Sequence, residues 1–377
     1  MKVQPFKFGV VASDEYFTNR EKETERLVSN FKHGINTILI SPRRWGKTSL
    51  VKKAISLATS KEVKIVYIDI FACRTKNEFC NSFATAVLKQ TSSKWEEWVK
   101  NAQEFLARIS PKITLGADPY TDMSLSFELK DRERGIEEVL ELPEKIARKN
   151  RCRIVVCVDE FQQVGEFTDS LAFQKKLRTV WQHQEAVSYC LFGSKKHLMD
   201  ELFGRTDYPF YKFGDVIYLE KITTLDWVKY IRERFESTGK EISAELAMGI
   251  CLAVDNHSSY VQQLSWLVWG RTGKVATEES LNLAIQDIIN QNRPLFEKQS
   301  ESLTAFQMNL LRAIADGVHN SFSSQEVIDK YNLKSSSNVI AVKTALLKKE
   351  LIDTEGDKTI IADPVMKLWM KQYLFNN

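Results

Sequence analysis

The sequence predicts an α/β fold: a parallel sheet with flanking helices, then a small helical segment, then a terminal unit of three helices and a hairpin. Three observations carry this. Short apolar runs at 38–40, 63–70, 153–158 and 187–192 alternate with stretches of helical periodicity, the pattern of parallel sheets. From Thr224 the apolar residues recur at helical spacing alone. Beyond Ser302 the order reads helix, helix, helix, hairpin, helix.

The first sheet strand leads into Ser41-Pro42-Arg43-Arg44-Trp45-Gly46-Lys47-Thr48-Ser49, and a helix continues through Leu50, Val51 and Ala54. This is the phosphate-binding loop G-x-x-x-x-G-K-[ST], with Ser41 in place of the first glycine. Backbone N–H groups of such a loop and helix start point at the β- and γ-phosphates of a nucleotide. Gly46 allows close backbone approach, Lys47 sets a positive charge on the phosphates, and the Thr48 hydroxyl ligates Mg²⁺. The fold class is therefore a P-loop NTPase parallel sheet core, a small helical lid and a C-terminal winged helix-turn-helix.

The chain has 377 residues, too many for one core, so two or three domains are expected. Apolar content of 43% and charged content of 27% are ordinary globular values. A net charge of +4 permits nucleic-acid binding without arguing for it. The six cysteines show no C-x-x-C spacing and read as reduced thiols of a cytoplasmic protein. No apolar run reaches membrane-span length, and the polar N-terminus does not read as a signal peptide.

In chain order, Phe17-Thr18-Asn19-Arg20-Glu21 opens a helix carrying Leu27 and Phe31, capped by Thr18 or Asn19. That turn reads as a plain helix start or, with Asn19 and Arg20, as a wall for the adenine. Asp69 ends the 63–70 strand, either as a cap or as a carboxylate reaching magnesium through water. Phe79, Phe83, Val87 and then Trp95, Trp98, Phe105 read as core faces of helices. Alternation over 112–129 predicts an inserted hairpin at about 110–130, and a helix follows from Arg134 to Asn150.

The run 153–158 fits a strand buried on both faces and ends in Asp159-Glu160. Asp159 is the candidate magnesium ligand through water, and Glu160 the candidate that polarises the attacking water. The acid pair is expected at the tip of a strand neighbouring the one that leads into the loop. Ser194 follows the 187–192 run, as a sensor of the γ-phosphate or as a turn residue. Arg205 reads as an arginine finger or as a surface arginine. His257, between two helices, reads as a helix-capping residue or as a nucleotide contact from the lid.

In the last unit Ser323 and Glu326 fit a capping box, residues 351–361 a hairpin, and Asp363-Pro364 the start of the final helix. Three helices and a hairpin make a winged helix. Lys334, Lys343, Lys348, Lys349 and Lys358 line its third helix and wing, but Glu350, Asp353, Glu355 and Asp357 interrupt them. DNA contact and protein packing both stand, the thin basic stripe favouring packing.

Taken together, Ser-Pro-Arg-Arg-Trp-Gly-Lys-Thr-Ser-Leu from Ser41, Val158-Asp159-Glu160-Phe161-Gln162, Phe192-Gly193-Ser194, Leu202-Phe203-Gly204-Arg205 and Asp363-Pro364 with Trp369 resemble the archaeal-type ATPases. These belong to the STAND branch of AAA-related P-loop NTPases, and the resemblance runs from about Phe17 to Tyr373. It implies an ATPase core, a helical lid and a winged helix, with ATP cradled by Gly46, Lys47 and Thr48. It implies Asp159 on magnesium, Glu160 as the catalytic acid, Ser194 at the sensor position and Arg205 as the arginine after it. Where that family reads Gly-His-Pro-Tyr-Tyr in the lid, this chain has Asn256-His257-Ser258-Ser259-Tyr260.

The expected domains are an ATPase core over 1–221, a lid over 222–298 and a winged helix over 299–377. The expected function is a slow, Mg²⁺-dependent ATPase working as a nucleotide-driven switch, with ATP and ADP as ligands. The alternative is an ATP-gated DNA-binding protein using the winged helix. An unknown protein partner completes the expected partners, and self-association joins it if Arg205 acts on a neighbouring copy, whereas a monomer suffices if Arg205 acts within its own chain or not at all.

Overall fold

The computed structural model describes residues 4–11, 16–92, 113–116, 124–127 and 132–375. They divide into two units: Arg20–Glu220, and a second joining the residues up to Asn19 to Lys221–Asn377.

The first unit holds strands β1 (Thr37–Ile40), β2 (Val63–Asp69), β3 (Ile113–Gly116), β4 (Ser124–Phe127), β5 (Arg153–Asp159), β6 (Val187–Gly193) and β7 (Asp215–Tyr218). Its helices are α1 (Glu21–His33), α2 (Lys47–Ala58), α3 (Lys76–Thr91), α4 (Arg132–Asn150), α5 (Ser170–Trp181) and α6 (Lys196–Gly204). Five strands form one sheet in the order β2-β5-β6-β1-β7, and every neighbouring pair is parallel. The apolar runs explain the order. β1 and β6 are buried at every position, and β5 at all but its first, so they take the middle of the sheet. β2 alternates and takes an edge, where the Gln90 side chain covers it. That amide donates to the Tyr67 carbonyl and accepts from the Tyr67 N–H, both at 2.9 Å, closing groups an edge strand leaves open.

β3 and β4 pair antiparallel, Ile113 opposite Phe127, as the inserted hairpin requires. Trp95, Trp98 and Phe105, expected on helix faces, lie outside the described residues, whereas Phe79, Phe83 and Val87 of α3 are buried. The cap position of α1 falls one residue beyond Asn19. Arg20 occupies the cap position and no side chain caps the helix. Neither Thr18 nor Asn19 does so, because the Asn19 amide instead donates to the Asp226 carboxylate.

The second unit holds α7 (Thr224–Glu236), α8 (Ala244–Ala253), α9 (Ser258–Arg271), α10 (Glu278–Glu301), α11 (Ala305–Ala315), α12 (Gln325–Lys330) and α13 (Ser336–Lys348). Strands β8 (Ile352–Glu355) and β9 (Lys358–Ile361) form an antiparallel wing, and α14 (Pro364–Tyr373) follows. Sequence chemistry sets the helix starts. Thr277 and Thr304 close capping boxes with Ser280 and Gln307, and Asp363 accepts from the N–H groups of Val365 and Met366. One expected cap moves. Ser324, not Ser323, caps α12 by accepting from Val327, and with valine in the third helical position no capping box closes. One buried core runs from Ile222 to Met370, and α10 passes unbroken through the expected boundary at 298. Residues 4–11 and 16–19, expected with the sheet, belong to this unit because Phe6 is fully buried there, its ring edge-on to Tyr230 and Phe235.

Candidate functional site

The loop 41–46 joins the carboxyl end of β1 to α2. Ser41 is buried, and its hydroxyl donates to the Pro42 carbonyl at 3.0 Å. The turn is made by two left-handed residues, Arg44 at φ 63° and Gly46 at φ 93°. A Cβ at Gly46 would meet nothing within 4 Å, so in the free chain the backbone angle demands glycine there, and not lack of space. Trp45 is buried between exposed Arg44 and exposed Gly46 and anchors the loop. Lys47 opens α2. Its ammonium is buried and donates to the carbonyls of Ser41 at 3.1 Å and Pro42 at 3.0 Å. Burial pushes it down to about 8, Glu160 and Asp159 pull it back up, and Arg43 opposes them.

The acid pair stands at the end of β5. Asp159 is buried, and three donors meet on it. The Thr48 hydroxyl and the Tyr67 phenol donate to Oδ2 at 3.1 and 2.8 Å, and the Glu160 N–H to Oδ1 at 2.9 Å. Burial raises the Asp159 carboxyl above the ordinary range, and the Tyr67 bond works against that rise. Glu160 has φ 56°, an unusual backbone for a side chain of its size. The turn holding it is pinned by Phe161, buried and edge-on to Phe210 at 5.3 Å between centroids. Its carboxylate Oε2 accepts from the Ser194 hydroxyl at 2.9 Å and from the Gln162 amide.

The acid pair and the loop were expected on neighbouring strands. β6 lies between them, and Ser194 follows that middle strand. Even so, α2 brings Thr48 within hydrogen-bond distance of Asp159. Lys47, Thr48, Asp159, Glu160 and Ser194 thus gather at one end of the sheet. Asp69 pairs in register with Asp159, but its carboxylate accepts from the Phe71 N–H at 2.9 Å and caps its own strand end.

The remaining candidates are engaged elsewhere. Arg20 is buried, with its guanidinium on the Glu220 carbonyl at 2.7 Å and on Glu23 at 3.0 Å. Arg205 is exposed and pairs with Asp207 at 2.7 Å and Glu201 at 3.4 Å. Asn19 and His257 belong to the second unit. His257 precedes α9, makes no side-chain cap bond to it, and lies 4.9 Å from the Tyr260 ring. Sequence reasoning gave no role to three residues of the site: Tyr67, Gln162 and Gly193. A Cβ at Gly193 would come 1.7 Å from Gln162 Oε1, so the glycine leaves the room through which Gln162 reaches Glu160. Gln162 sits inside the Asp159-Glu160-Phe161-Gln162 motif and was readable from it. Tyr67 left no local signal.

The donor set suits a hard divalent cation. Thr48 and Asp159 offer oxygens, and no group of three or more His, Cys, Asp or Glu side chains that could cage a metal exists among the described residues. Mg²⁺ fits such a site because it keeps several waters and takes few protein ligands beside substrate phosphates.

A parallel sheet whose loop lysine, hydroxyl and acid pair meet at one end, on a chain that also carries three helices and a wing, defines the fold of a P-loop NTPase with a winged helix. The chain belongs to the family described as an ATPase domain predominantly from Archaea, whose model matches residues 17–243, and a winged helix domain model matches residues 294–372. Among solved structures it is similar to a Walker-type ATPase of Pyrococcus abyssi, 17% identical with a TM-score of 0.68, over 97% of this chain and 99% of that one. It is also similar to the ORC2 protein of Aeropyrum pernix in ADPNP and ADP complexes, 13% identical with a TM-score of 0.56, over 98% and 100%. At these identities the likeness is one of fold. No curated protein sequence matches the chain. No helix among the described residues is long and apolar enough to cross a membrane.

Proposed function

We propose that this chain is a Mg²⁺-dependent ATPase of the STAND type whose nucleotide state drives a conformational switch. The observation that supports it best is the 3.1 Å bond from the Thr48 hydroxyl to Asp159, which joins the phosphate loop to the acid pair. Residues 41–49 would cradle the triphosphate, with Lys47 leaving its loop carbonyls for the phosphates. Thr48 would bind Mg²⁺ directly and Asp159 through water. The metal would neutralise charge on the β- and γ-phosphate oxygens. Glu160 would orient a water and draw its proton as the water oxygen bonds to the γ-phosphorus and the bond to ADP breaks. Ser194, on the same Glu160 oxygen, would link that carboxylate to the γ-phosphate.

Arg205 is exposed, and we assign it to a neighbouring copy's nucleotide. Turnover per chain should then rise with protein concentration in the wild type and stay flat in Arg205→Ala. Asn19, Arg20 and His257 stand as candidate contacts to the base, and ATP in the cytoplasm as the working setting.

The test is nucleotide binding and phosphate release on one sample. Lys47→Ala should lose binding, and Glu160→Gln should bind without turnover. Normal hydrolysis by the Gln variant removes Glu160 from its role. Bound nucleotide with no phosphate release by the wild type leaves a binding protein and no enzyme.

DNA binding through the winged helix is the second reading, and the domain match favours it. Against it, Lys343 lies over the Phe322 ring, Lys349 donates to the Ser302 carbonyl, and Ile340 stands 64% exposed on the third helix. A duplex titration against salt separates the two, since phosphate contacts give a steep negative slope of log K on log salt.

A further inference from the structure

We propose that Tyr67 is a positioning residue for the metal side of the site: its phenol locks Asp159 in the orientation that receives Mg²⁺-bound water. The assignment rests on the ATPase reading above and deepens it. A carboxylate has about four lone-pair positions. Among the described residues three are filled on Asp159: Tyr67 and Thr48 on Oδ2, and the Glu160 N–H on Oδ1. The fourth, on Oδ1, is left to accept from a metal-bound water. Thr48 donates its proton to Asp159 while its oxygen lone pairs face away, so this bond is compatible with metal ligation by the same hydroxyl.

Tyr67 is built to hold its place. It sits on the edge strand β2, opposite Cys157 in register, two residues before the Asp69–Asp159 pair. The Gln90 amide clamps both its backbone groups. Lys52, from the same helix as Thr48, lies 5.5 Å from its ring centroid, a cation over an aromatic face. Partners of this kind around a metal ligand are worth about ten- to a hundred-fold in metal affinity.

The test is Tyr67→Phe, which keeps the ring and removes one hydroxyl. A fluorescent ADP is titrated into wild type and variant in EDTA, then Mg²⁺ is titrated at fixed nucleotide. The expected result is unchanged affinity in EDTA and a Mg²⁺ half-saturation raised about ten-fold or more. Tyr218→Phe, which removes an exposed phenol bonded to Asp200 at 3.2 Å, should leave both unchanged. Equal Mg²⁺ half-saturation in Tyr67→Phe and wild type overturns the assignment alone. So does an equal loss of affinity with and without metal, the mark of a merely structural role. A wild type that binds no nucleotide overturns the ATPase reading, and the assignment with it.

Discussion

Substituting Lys47 by methionine sets two consequences of one buried charge against each other. Lys47, whose ammonium should bind phosphate, is 6% exposed, and burial lowers its titration from 10.5 to about 8. The difference of about 2.5 units corresponds to roughly 3 kcal/mol charged against the folded state at neutral pH. The sign follows from proton counting. Folded Lys47 releases its proton at about 8 and unfolded Lys47 at 10.5. Between those values the folded chain holds fewer protons, so its stability rises with pH, and below about 8 the whole penalty applies. Methionine keeps an unbranched stem and carries no charge. The variant should therefore gain about 1–3 kcal/mol at pH 7, or roughly 2–10 °C in the melting of a unit of this size. Calorimetry without nucleotide, from pH 7 to 10, measures it. The gap between variant and wild type should narrow as pH rises past about 8. Mg²⁺ and ATP should raise the melting temperature of the wild type only, by mass action. A variant that melts lower than the wild type at pH 7, or that keeps the ATP shift, refutes the reasoning.

Glu160→Gln should keep Mg²⁺-ADP affinity and lower phosphate release about 10²- to 10⁴-fold, the usual range for a positioned base. Gly193→Ala places a Cβ against Gln162 Oε1 and should break the contact from Gln162 to Glu160. Turnover should fall while fluorescent-ADP affinity holds, with about 1–3 kcal/mol lost in urea unfolding as the strand accommodates the methyl. Asp363→Ala removes the cap of α14 and the partner of the Tyr260 phenol at 2.6 Å. Urea unfolding followed by Trp369 fluorescence should show about 1–3 kcal/mol lost in the second unit, with nucleotide affinity unchanged.

What the sequence by itself determined is local. The loop from Ser41 to Ser49 is contiguous, so its turn, its lysine and its hydroxyl could be read directly. The unbroken apolar runs at β5 and β6 announced strands covered on both faces, and Asp363-Pro364 announced a helix start, because dihedral preference and capping act over a few residues. The placement of β6 between β1 and β5 was not readable, and the acid pair was expected one strand too near. Tertiary structure alone put Tyr67 on Asp159 and Phe6 in the core of the second unit. It also turned Asn19 away from capping α1 and shifted one helix cap from Ser323 to Ser324. Strand order and such long-range pairs are decided by which surfaces bury each other across tens to hundreds of residues, and a tyrosine in an alternating strand reads the same whether its hydroxyl meets water or a carboxylate.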